Sequence, residues 1–416
     1  MRDPIYLDYN ATAPIRPEVR HAVIAALDVA GNPSSVHGFG RRARRVVEDA
    51  RAEVAALASV APARVVFTSG GTEANTAALR ATGRSRILVS AIEHDSVLET
   101  APDALRIPVD PDGLVDPSAL ERLLRDAPEP ALVSVMRVNN ETGVIQPLAD
   151  VVRIAHAYGA LVHCDAVQAA GRIPLDVDAL GIDLLTLSAH KLGGPQGIGA
   201  LIVRDGIPIA PVLRGGGQEH RRRAGTENVA GIAGFGVAAR LAREGLGAQG
   251  TIAELRDDME RRLIRAAQEA GKPAVLYGST SPRVANTTCI SMPGATSETQ
   301  IMALDLAGLA VSAGSACSSG KVKPSHVLTA MGVAGGEAGS AIRVSLGWGT
   351  TPGDIDRLVE AWTALRRRSP GPSPDDLSLR LPPERWRCRV GSLSVKTTCG
   401  GRCEAPESHH DRSDPA

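Results

Sequence analysis

Short runs of apolar residues alternate with longer amphipathic stretches along the first 250 residues of the chain. The apolar runs are typical of buried strands and cover residues 65–68, 87–90, 132–136, 161–164, 184–187 and 200–203. Helical periodicity is clearest in residues 41–58, where Val47, Ala50, Val54 and Leu57 share one face. Strands that alternate with helices predict an α/β fold with a mostly parallel sheet that is covered by helices on both faces.

The pattern changes at about residue 251, from which we predict helices at 252–270 and 298–306 and strands at 286–292 and 341–346. Thr351-Pro352-Gly353-Asp354 then begins a last helix, because it offers a capping hydroxyl, a proline in the first turn and an early acid. These elements predict a smaller α+β domain. We place the large domain at 12–250 and the small domain at 1–11 and 251–368. The polar tail, 369–416, begins with a Ser/Pro/Gly-rich linker, and we expect it to be mostly disordered.

Composition and charge exclude several classes of function. The 416-residue chain carries 46 basic and 46 acidic side chains, so its zero net charge provides no general attraction to nucleic acids or anionic membranes. Only 2% of the residues are aromatic, which argues against base-stacking platforms. The N-terminus lacks the apolar core of a signal peptide, and no apolar run reaches the roughly 20 residues of a membrane span. We therefore expect a soluble, cytoplasmic protein.

Six cysteines in a chain of this length are too sparse for a disulfide framework. Cys164 and Cys289 lie in apolar, strand-like runs and are expected to be buried. The tail offers an alternative, a metal site built from Cys388, Cys399, Cys403, His409 and His410. Its C-x₃-C spacing matches zinc sites poorly, so we predict no metal site.

A lysine and an acid stand at the ends of two predicted strands. Lys191 ends the segment Ser-Ala-His-Lys, and Asp165 lies 26 residues before it in His-Cys-Asp-Ala-Val-Gln. Pyridoxal phosphate (PLP) requires such a pair, since a lysine forms its Schiff base and a carboxylate pairs with its pyridinium nitrogen. A carboxylate that only caps the following helix is the competing interpretation of Asp165. Together the two residues favour a PLP enzyme.

Further residues could hold the cofactor's phosphate. Gly71 and Thr72 lie where a strand turns into a helix, so that backbone N–H groups, a hydroxyl and the helix dipole could bind the anion. A tight turn without a ligand is the alternative there. Ser188 and His190 precede Lys191 at a strand end, where both could reach the same phosphate.

Two residues could contact the cofactor's ring. Gln168 could donate to its 3-hydroxyl oxygen, and His94, which also follows a predicted strand, could stack on its face. A histidine in that place can equally be a structural hydrogen-bonding residue.

Two candidates lie in the second half of the chain. Cys317 is flanked by serine, alanine and glycine, which indicates an exposed, mobile loop where a thiol can react; an incidental surface cysteine is the alternative. Arg343 lies within an apolar strand and could bind an α-carboxylate bidentately, or it could be an edge-strand arginine in solvent.

The chain resembles the cysteine desulfurases of the NifS/IscS type over residues 5–365. The resemblance rests on motifs in family order, among them Tyr-Leu-Asp-Tyr-Asn-Ala-Thr at 6–12, Thr-Ser-Gly-Gly-Thr-Glu at 68–73, Asn-Asn-Glu-Thr-Gly at 139–143, Ser-Ala-His-Lys at 188–191, Ser-Ala-Cys-Ser-Ser-Gly at 315–320 and Pro-Ser-His-Val-Leu at 324–328. It implies the fold of type I PLP enzymes, class V aminotransferase-like, with a mostly parallel seven-stranded sheet flanked by helices plus a smaller α+β domain.

The resemblance also implies a role for each matching residue. Lys191 would carry the Schiff base and remove the α-proton of L-cysteine, and Cys317 would accept the sulfur as a persulfide while L-alanine is released. His94 would be catalytic as well as stacking on the ring. The remaining assignments are Gly71, Thr72, Asn140, Asp165, Gln168, Ser188, His190 and Thr226 for the cofactor, and Asn140 and Arg343 for the substrate carboxylate.

The resemblance implies partners too. Thr226 would reach the phosphate of a neighbouring subunit, which implies a homodimer. The sulfur would pass to an acceptor such as an iron–sulfur scaffold protein, to which Cys317 could also supply a cluster ligand. No nucleic acid or membrane partner is expected.

Two other functions remain open. A selenocysteine lyase or a class V aminotransferase would use the same PLP residues, but a transaminase has no need of Cys317 in its Ser/Gly-rich segment. A sulfur-transfer or scaffold protein without catalysis would not need Lys191, Asp165, His94 and Cys317 together. The chain departs from the family at Thr76, at Cys164 and in the tail.

Overall fold

The computed structural model describes residues 4–126, 129–314 and 324–370. Thirteen helices lie in these ranges: α1 Pro17–Leu27, α2 Gly38–Leu57, α3 Gly71–Arg80, α4 Asp95–Leu98, α5 Pro117–Arg125, α6 Leu148–Ala157, α7 Val177–Leu180, α8 Val229–Glu244, α9 Gln249–Glu269, α10 Ser297–Leu306, α11 His326–Ala330, α12 Gly335–Ala338 and α13 Pro352–Arg368. Within the same ranges no helix is both long enough and apolar enough to cross a bilayer.

The same ranges contain thirteen strands: β1 Ile5–Tyr6, β2 Val65–Thr68, β3 Arg86–Ser90, β4 Leu105–Ile107, β5 Ala131–Ser134, β6 Leu161–Asp165, β7 Leu184–Ser188, β8 Gly199–Val203, β9 Val275–Tyr277, β10 Thr287–Ser291, β11 Leu309–Ala310, β12 Ser312–Ala313 and β13 Ala341–Ser345. The described part of the chain also contains four short 3₁₀ turns, at Pro62–Arg64, Ala189–Lys191, Glu219–Arg221 and Gly245–Ala248.

Seven strands form the large sheet, in the order β2-β8-β7-β6-β5-β3-β4. β8 runs antiparallel to β2 and β7, and every other neighbouring pair is parallel. β5, β6 and β7 are almost entirely buried because helices cover both faces of the sheet. Their side chains must therefore be apolar or hydrogen-bonded. The predicted α/β fold with a mostly parallel seven-stranded sheet is confirmed.

The remaining strands form smaller sheets. β12, β13, β10 and β9 make a four-stranded antiparallel sheet in that order, and β1 pairs in parallel with β11. A separate apolar cluster packs on these strands, and it joins Ile5 and Leu7 to Met259, Leu304 and Trp362. The domain boundaries at residues 12, 250 and 368 stay a prediction.

The last helix begins where the sequence predicts. The hydroxyl of Thr351 accepts a hydrogen bond from the backbone N–H of Asp354, and the carboxylate of Asp354 accepts one from the N–H of Thr351 at 2.8 Å. This reciprocal capping satisfies donors that the first turn of a helix leaves free. The tail from 371 onwards, with Cys388, Cys399 and Cys403, lies outside the described residues.

Candidate active site

The carboxyl ends of six strands lie at one edge of the large sheet. β3, β4, β5, β6 and β7 are parallel, and β2 points the same way because β8 runs antiparallel to both β2 and β7. Open α/β sheets bind their ligands at this edge. Most of the predicted site residues lie at the last position of one of these strands or in the segment that follows it: Gly71, Thr72, His94, Asn140, Asp165, Gln168, Ser188, His190 and Lys191.

Lys191 lies in the 3₁₀ turn that follows β7, and its side chain is half-buried. Its Nζ donates to the backbone carbonyl oxygens of Asn10 at 2.6 Å and Ala11 at 2.9 Å. Among the described residues no carboxylate forms an ion pair with it. Burial, helped by the guanidinium groups of Arg343 and Arg172, lowers the pKa of Lys191 to about 7. A large share of the amine is therefore uncharged near neutral pH, as a nucleophilic lysine requires.

Asp165 ends β6 and is 7% exposed. Its carboxylate accepts hydrogen bonds from Asn75 Nδ2 at 2.8 Å and from the backbone N–H of Val167 at 2.9 Å. The second bond closes a turn rather than capping a helix, because the next helix, α7, does not begin until Val177. Within the described ranges no cation pairs with this carboxylate, and a buried charge without a counter-ion is unfavourable. A cationic N–H of a ligand would satisfy it.

Gln168 is held from two directions. Its Nε2 donates to the carbonyl oxygen of Asn10 at 3.0 Å, and its Oε1 accepts from Arg172. Burial and the charge of Arg343 lower the pKa of Arg172 to about 9, and in the described part of the chain no carboxylate pairs with this guanidinium. Sequence reasoning missed Arg172. Its spacing of four residues from Gln168 was the available signal.

His94 is solvent-exposed and precedes α4. Its ring Nδ1 accepts a hydrogen bond from the backbone N–H of Ser96 at 3.1 Å, so it does cap a helix, as the structural interpretation expects. The bond uses one ring nitrogen in the plane of the imidazole and leaves the faces of the ring available. Stacking on a cofactor stays a prediction.

The predicted phosphate-binding residues lie around the start of α3. A Cβ on Gly71 would lie 3.3 Å from Val167 and 3.6 Å from the Cβ of buried Ser188, so the backbone here packs closely against the end of β7. His190 shares a 2.6 Å hydrogen bond between its Nδ1 and the hydroxyl of Thr12. Burial and the charge of Lys191 lower the pKa of His190 to about 4, so its ring is neutral at physiological pH.

Arg343 lies on β13, which pairs with both β10 and β12. It is 2% exposed, so the alternative of an edge-strand arginine in solvent is wrong. Its Nη2 binds the carboxylate of Asp8 at 2.8 Å and its Nη1 donates to the carbonyl oxygen of Asn140 at 3.1 Å. The buried Nε has no hydrogen-bond partner among the described residues.

Asn10 connects the two sheets, and sequence reasoning gave it no role. Its carbonyl oxygen accepts the hydrogen bond of Lys191, while its side-chain amide donates to the hydroxyl of Thr287 at 2.9 Å and to the carbonyl of Asn140 at 3.1 Å. Asn286 donates to its Oδ1 at 3.0 Å. One buried residue thus fixes the small sheet relative to the lysine.

A cavity of about 150 Å³ lies beside Lys191, which is the only predicted cofactor residue in its wall. Arg16 and Arg172 also line it, and the guanidinium of Arg16 lies 4.1 Å from the ring centre of Trp348. Neither arginine makes an ion pair with a described residue. The approach to Lys191 is therefore electropositive, which favours an anionic ligand such as a carboxylate or phosphate.

Thr226 is exposed and does not line the cavity beside Lys191. It lines a second cavity with Ser69, Arg223 and Glu227. Glu227 is buried, and neither of its carboxylate oxygens accepts a hydrogen bond from a described residue. The predicted contact of Thr226 with a neighbouring subunit stays a prediction.

The segment before Thr226 has an unusual backbone. Glu219, His220 and Arg221 are consecutive residues with φ of 44°, 56° and 66°, a left-handed conformation that only glycine adopts easily. A buried bidentate ion pair holds this segment, since Arg51 binds both oxygens of Glu219 at 2.8 and 2.9 Å. The backbone N–H of Phe67 also donates to Glu219.

The cysteines divide into two groups. Cys164 and Cys289 are free and fully buried, as predicted, and burial raises the pKa of both thiols well above the usual range. Cys317 lies outside the described residues. In the part of the chain that the structure describes, no group of three or more histidine, cysteine, aspartate or glutamate side chains could hold a metal ion.

Comparison with known proteins identifies the family. Residues 5–358 match the model of the class-V aminotransferases. The chain belongs to this family. A cysteine desulfurase of Cereibacter sphaeroides is 43% identical over 371 residues, which cover 86% of this chain and 94% of that protein. Cysteine desulfurase IscS of Dictyoglomus turgidum is 42% identical over 380 residues, with the same coverage of 86% and 94%.

Two solved structures are similar to the chain over most of its length. A NifS-like protein from Rickettsia africae superimposes with a TM-score of 0.80 at 38% identity, over 87% of this chain and 99% of that one. SspA in complex with cysteine superimposes with a TM-score of 0.71 at 29% identity, over 82% of this chain and 98% of that one. The resemblance to cysteine desulfurases is confirmed.

Proposed function

We propose that the protein is a cysteine desulfurase that uses PLP to convert L-cysteine into L-alanine and a persulfide on Cys317. The observation that supports this most directly is the half-buried amine of Lys191, which has a pKa of about 7 and no carboxylate partner among the described residues. It lies among the strand ends that carry Asp165 and Gln168. Relatives about 40% identical over most of the chain are cysteine desulfurases.

The residues present fit the cofactor. The carboxylate of Asp165 is buried without a cation among the described residues, as the partner of a pyridinium N–H should be. Lys191 has no acidic partner there and is poised to form a Schiff base. The close approach at Gly71 brings the start of α3 and Ser188 side by side, where both could bind a phosphate. When bound, PLP supplies an electron sink that acidifies the α-carbon of an amino acid.

The protein's own residues would then do the rest. The guanidinium of Arg343 would bind the substrate carboxylate through Nε, which has no hydrogen-bond partner among the described residues, and through Nη2, where the substrate would compete with Asp8. Asn140, whose carbonyl already binds Arg343, would line the same site. Lys191, of which a large share is uncharged near neutral pH, would accept the α-proton. The exposed faces of the His94 ring would cover the cofactor.

The sulfur step balances without an external oxidant or reductant. The thiolate of Cys317 forms an S–S bond with the sulfur of L-cysteine while the Cβ–S bond breaks and its electron pair goes to Cβ. Cβ gains the proton that the substrate thiol loses, so L-cysteine and a thiolate give L-alanine and a persulfide anion. Cβ is reduced and the transferred sulfur is oxidised.

The proposal includes partners. A second copy of the chain would place its Thr226 at the phosphate of the first, in a homodimer. The persulfide would serve an acceptor protein, and the IscS relatives favour an iron–sulfur scaffold, to which Cys317 could also supply a cluster ligand.

The experiment follows alanine and sulfur together. After incubation of the holoenzyme with L-cysteine, we expect free alanine and one added sulfur atom, mapped to Cys317 by mass spectrometry. Cys317→Ala should lose both products and retain bound PLP, whereas Cys399→Ala, a control cysteine in the tail, should retain both. Turnover that does not depend on Cys317 would contradict the proposal and favour a selenocysteine lyase or an aminotransferase.

A further inference from the structure

The two ends of the segment that carries Cys317 are described, and both contact the same side chain. Gly314 precedes the segment, and a Cβ placed on it would collide with Oε2 of Glu141. Ser325 follows the segment, and its hydroxyl donates to the same oxygen at 2.5 Å. The chain therefore leaves and returns at one carboxylate, with residues 315–324 between the two contacts.

Glu141 is itself held in place. It is 1% exposed, and burial raises its pKa. Its backbone N–H donates to Oδ1 of Asn139 at 2.9 Å, and the N–H of Thr142 donates to the same oxygen at 3.0 Å. Asn139 also donates to the carbonyl of Ile92 at 3.1 Å. The position of the Glu141 carboxylate is thus fixed by a buried turn.

The same turn belongs to the candidate active site. Asn140 lies between Asn139 and Glu141, and its carbonyl oxygen accepts from Arg343 and from Asn10. The residue after Ser325 makes a second contact, since Nε2 of His326 donates to the carbonyl oxygen of Glu93 at 2.9 Å, next to His94. On the other side, Ser312 pairs with Arg343 across the small sheet.

We propose that Glu141 is a positioning residue for Cys317: its carboxylate binds Ser325 and abuts Gly314, and so fixes the base of the segment at the active site. The inference rests on the desulfurase function proposed above. Fixing both ends of a ten-residue segment restricts the volume that its thiol can sample, which raises the effective concentration of the thiol at the substrate sulfur.

The test uses a double-mutant cycle on the holoenzyme. Glu141→Leu removes the acceptor and Ser325→Ala the donor, and each should lower kcat for alanine formation about tenfold, because a hydrogen bond to a carboxylate is lost. Ser325 also caps α11 through the N–H of Leu328, so only the coupling between the two changes reports on the pair. The double variant should be no slower than the slower single variant.

Steps that do not involve Cys317 should be unaffected. The absorbance of bound PLP and the KM for L-cysteine should stay within about twofold of the wild type in all three variants. Glu141→Gln keeps an acceptor oxygen and should lose less than about threefold in kcat. Gly314→Ala should lower kcat like Glu141→Leu, whereas its control Gly335→Ala, which has open space for a Cβ, should not.

A readout without substrate separates this inference from the proposed function. Trypsin should cleave after Lys321 faster in Glu141→Leu than in the wild type or in Glu141→Gln, because one end of the segment is released. Three results would overturn the inference: an unchanged kcat in Glu141→Leu, additive losses of kcat in the double variant, or equal rates of tryptic cleavage in Glu141→Leu and the wild type. Alanine formation by the wild type would still uphold the desulfurase function in each case. A wild type that forms no alanine overturns the function, and the cleavage rates still decide whether Glu141 fixes the segment.

Discussion

Lys191 shows how the environment of a single residue changes its chemistry. An ordinary lysine has a pKa near 10.4, but here burial and two guanidinium groups lower it to about 7. The sequence was sufficient to propose Lys191 and Asp165, because both follow apolar strands. The role of Asn10 could not be predicted from the sequence, because it depends on contacts between distant positions. Asn10 is 181 residues from Lys191 and 276 residues from Asn286.

The pKa of Lys191 predicts the pH dependence of cofactor loading. Only the uncharged amine attacks an aldehyde, and its fraction rises as pH increases through the pKa. The rate at which the apo-protein forms a Schiff base with PLP should therefore rise with pH and reach half its maximum near pH 7. Stopped-flow absorbance measures this rate, with Lys191→Ala as the control that forms no Schiff base. A midpoint of 9 or higher would show that the amine is not perturbed.

Among the elements, continuous apolar strands were predictable and short mixed strands were not. β6 and β7 are buried on both faces, so their apolar runs identify them without ambiguity. β4 is a three-residue edge strand with exposed Leu105 and Arg106, and β1 and β11 have two residues each, which leaves no periodicity to detect. Such elements depend on pairing partners that are distant in sequence.

Packing at the end of β13 predicts a stability difference between two glycines. A Cβ on Gly347 would overlap the ring of Tyr9, whereas a Cβ on Gly250, in the first turn of α9, has nothing within 4 Å. Gly347→Ala should lower the free energy of unfolding by about 1–3 kcal/mol through overpacking. Gly250→Ala should change it by less than about 0.5 kcal/mol. Urea denaturation compares the two, and equal stabilities would contradict the close packing.

At the scale of the whole molecule, the candidate site draws on nearly the whole of the described chain. Asp8 and Asn10 come from the N-terminus, the PLP-binding candidates from the large sheet, and Arg343 from the small sheet. The family fold was predictable from the motifs. Which side chains meet across the two sheets was not, because it depends on the packing of separate apolar clusters.

The proposed dimer predicts complementation between two inactive or weakened variants. Lys191→Ala loses the amine of its own site, and Thr226→Ala loses a phosphate contact in the partner's site. After subunit exchange, mixed dimers contain one site with both residues intact, so about a quarter of all sites should regain full activity. Alanine formation by the mixture is compared with the sum of the separate variants. No gain after verified exchange would place Thr226 within its own subunit's site.

The left-handed run at Glu219–Arg221 has a consequence for assembly. Each such residue costs about 1–2 kcal/mol in local backbone energy, and the buried Arg51–Glu219 pair holds the segment in this conformation within a single subunit. The chain that leads to Thr226 thus has its shape before any second copy arrives. In the proposed dimer, association would not have to order it, and the binding surface would be preorganised rather than induced.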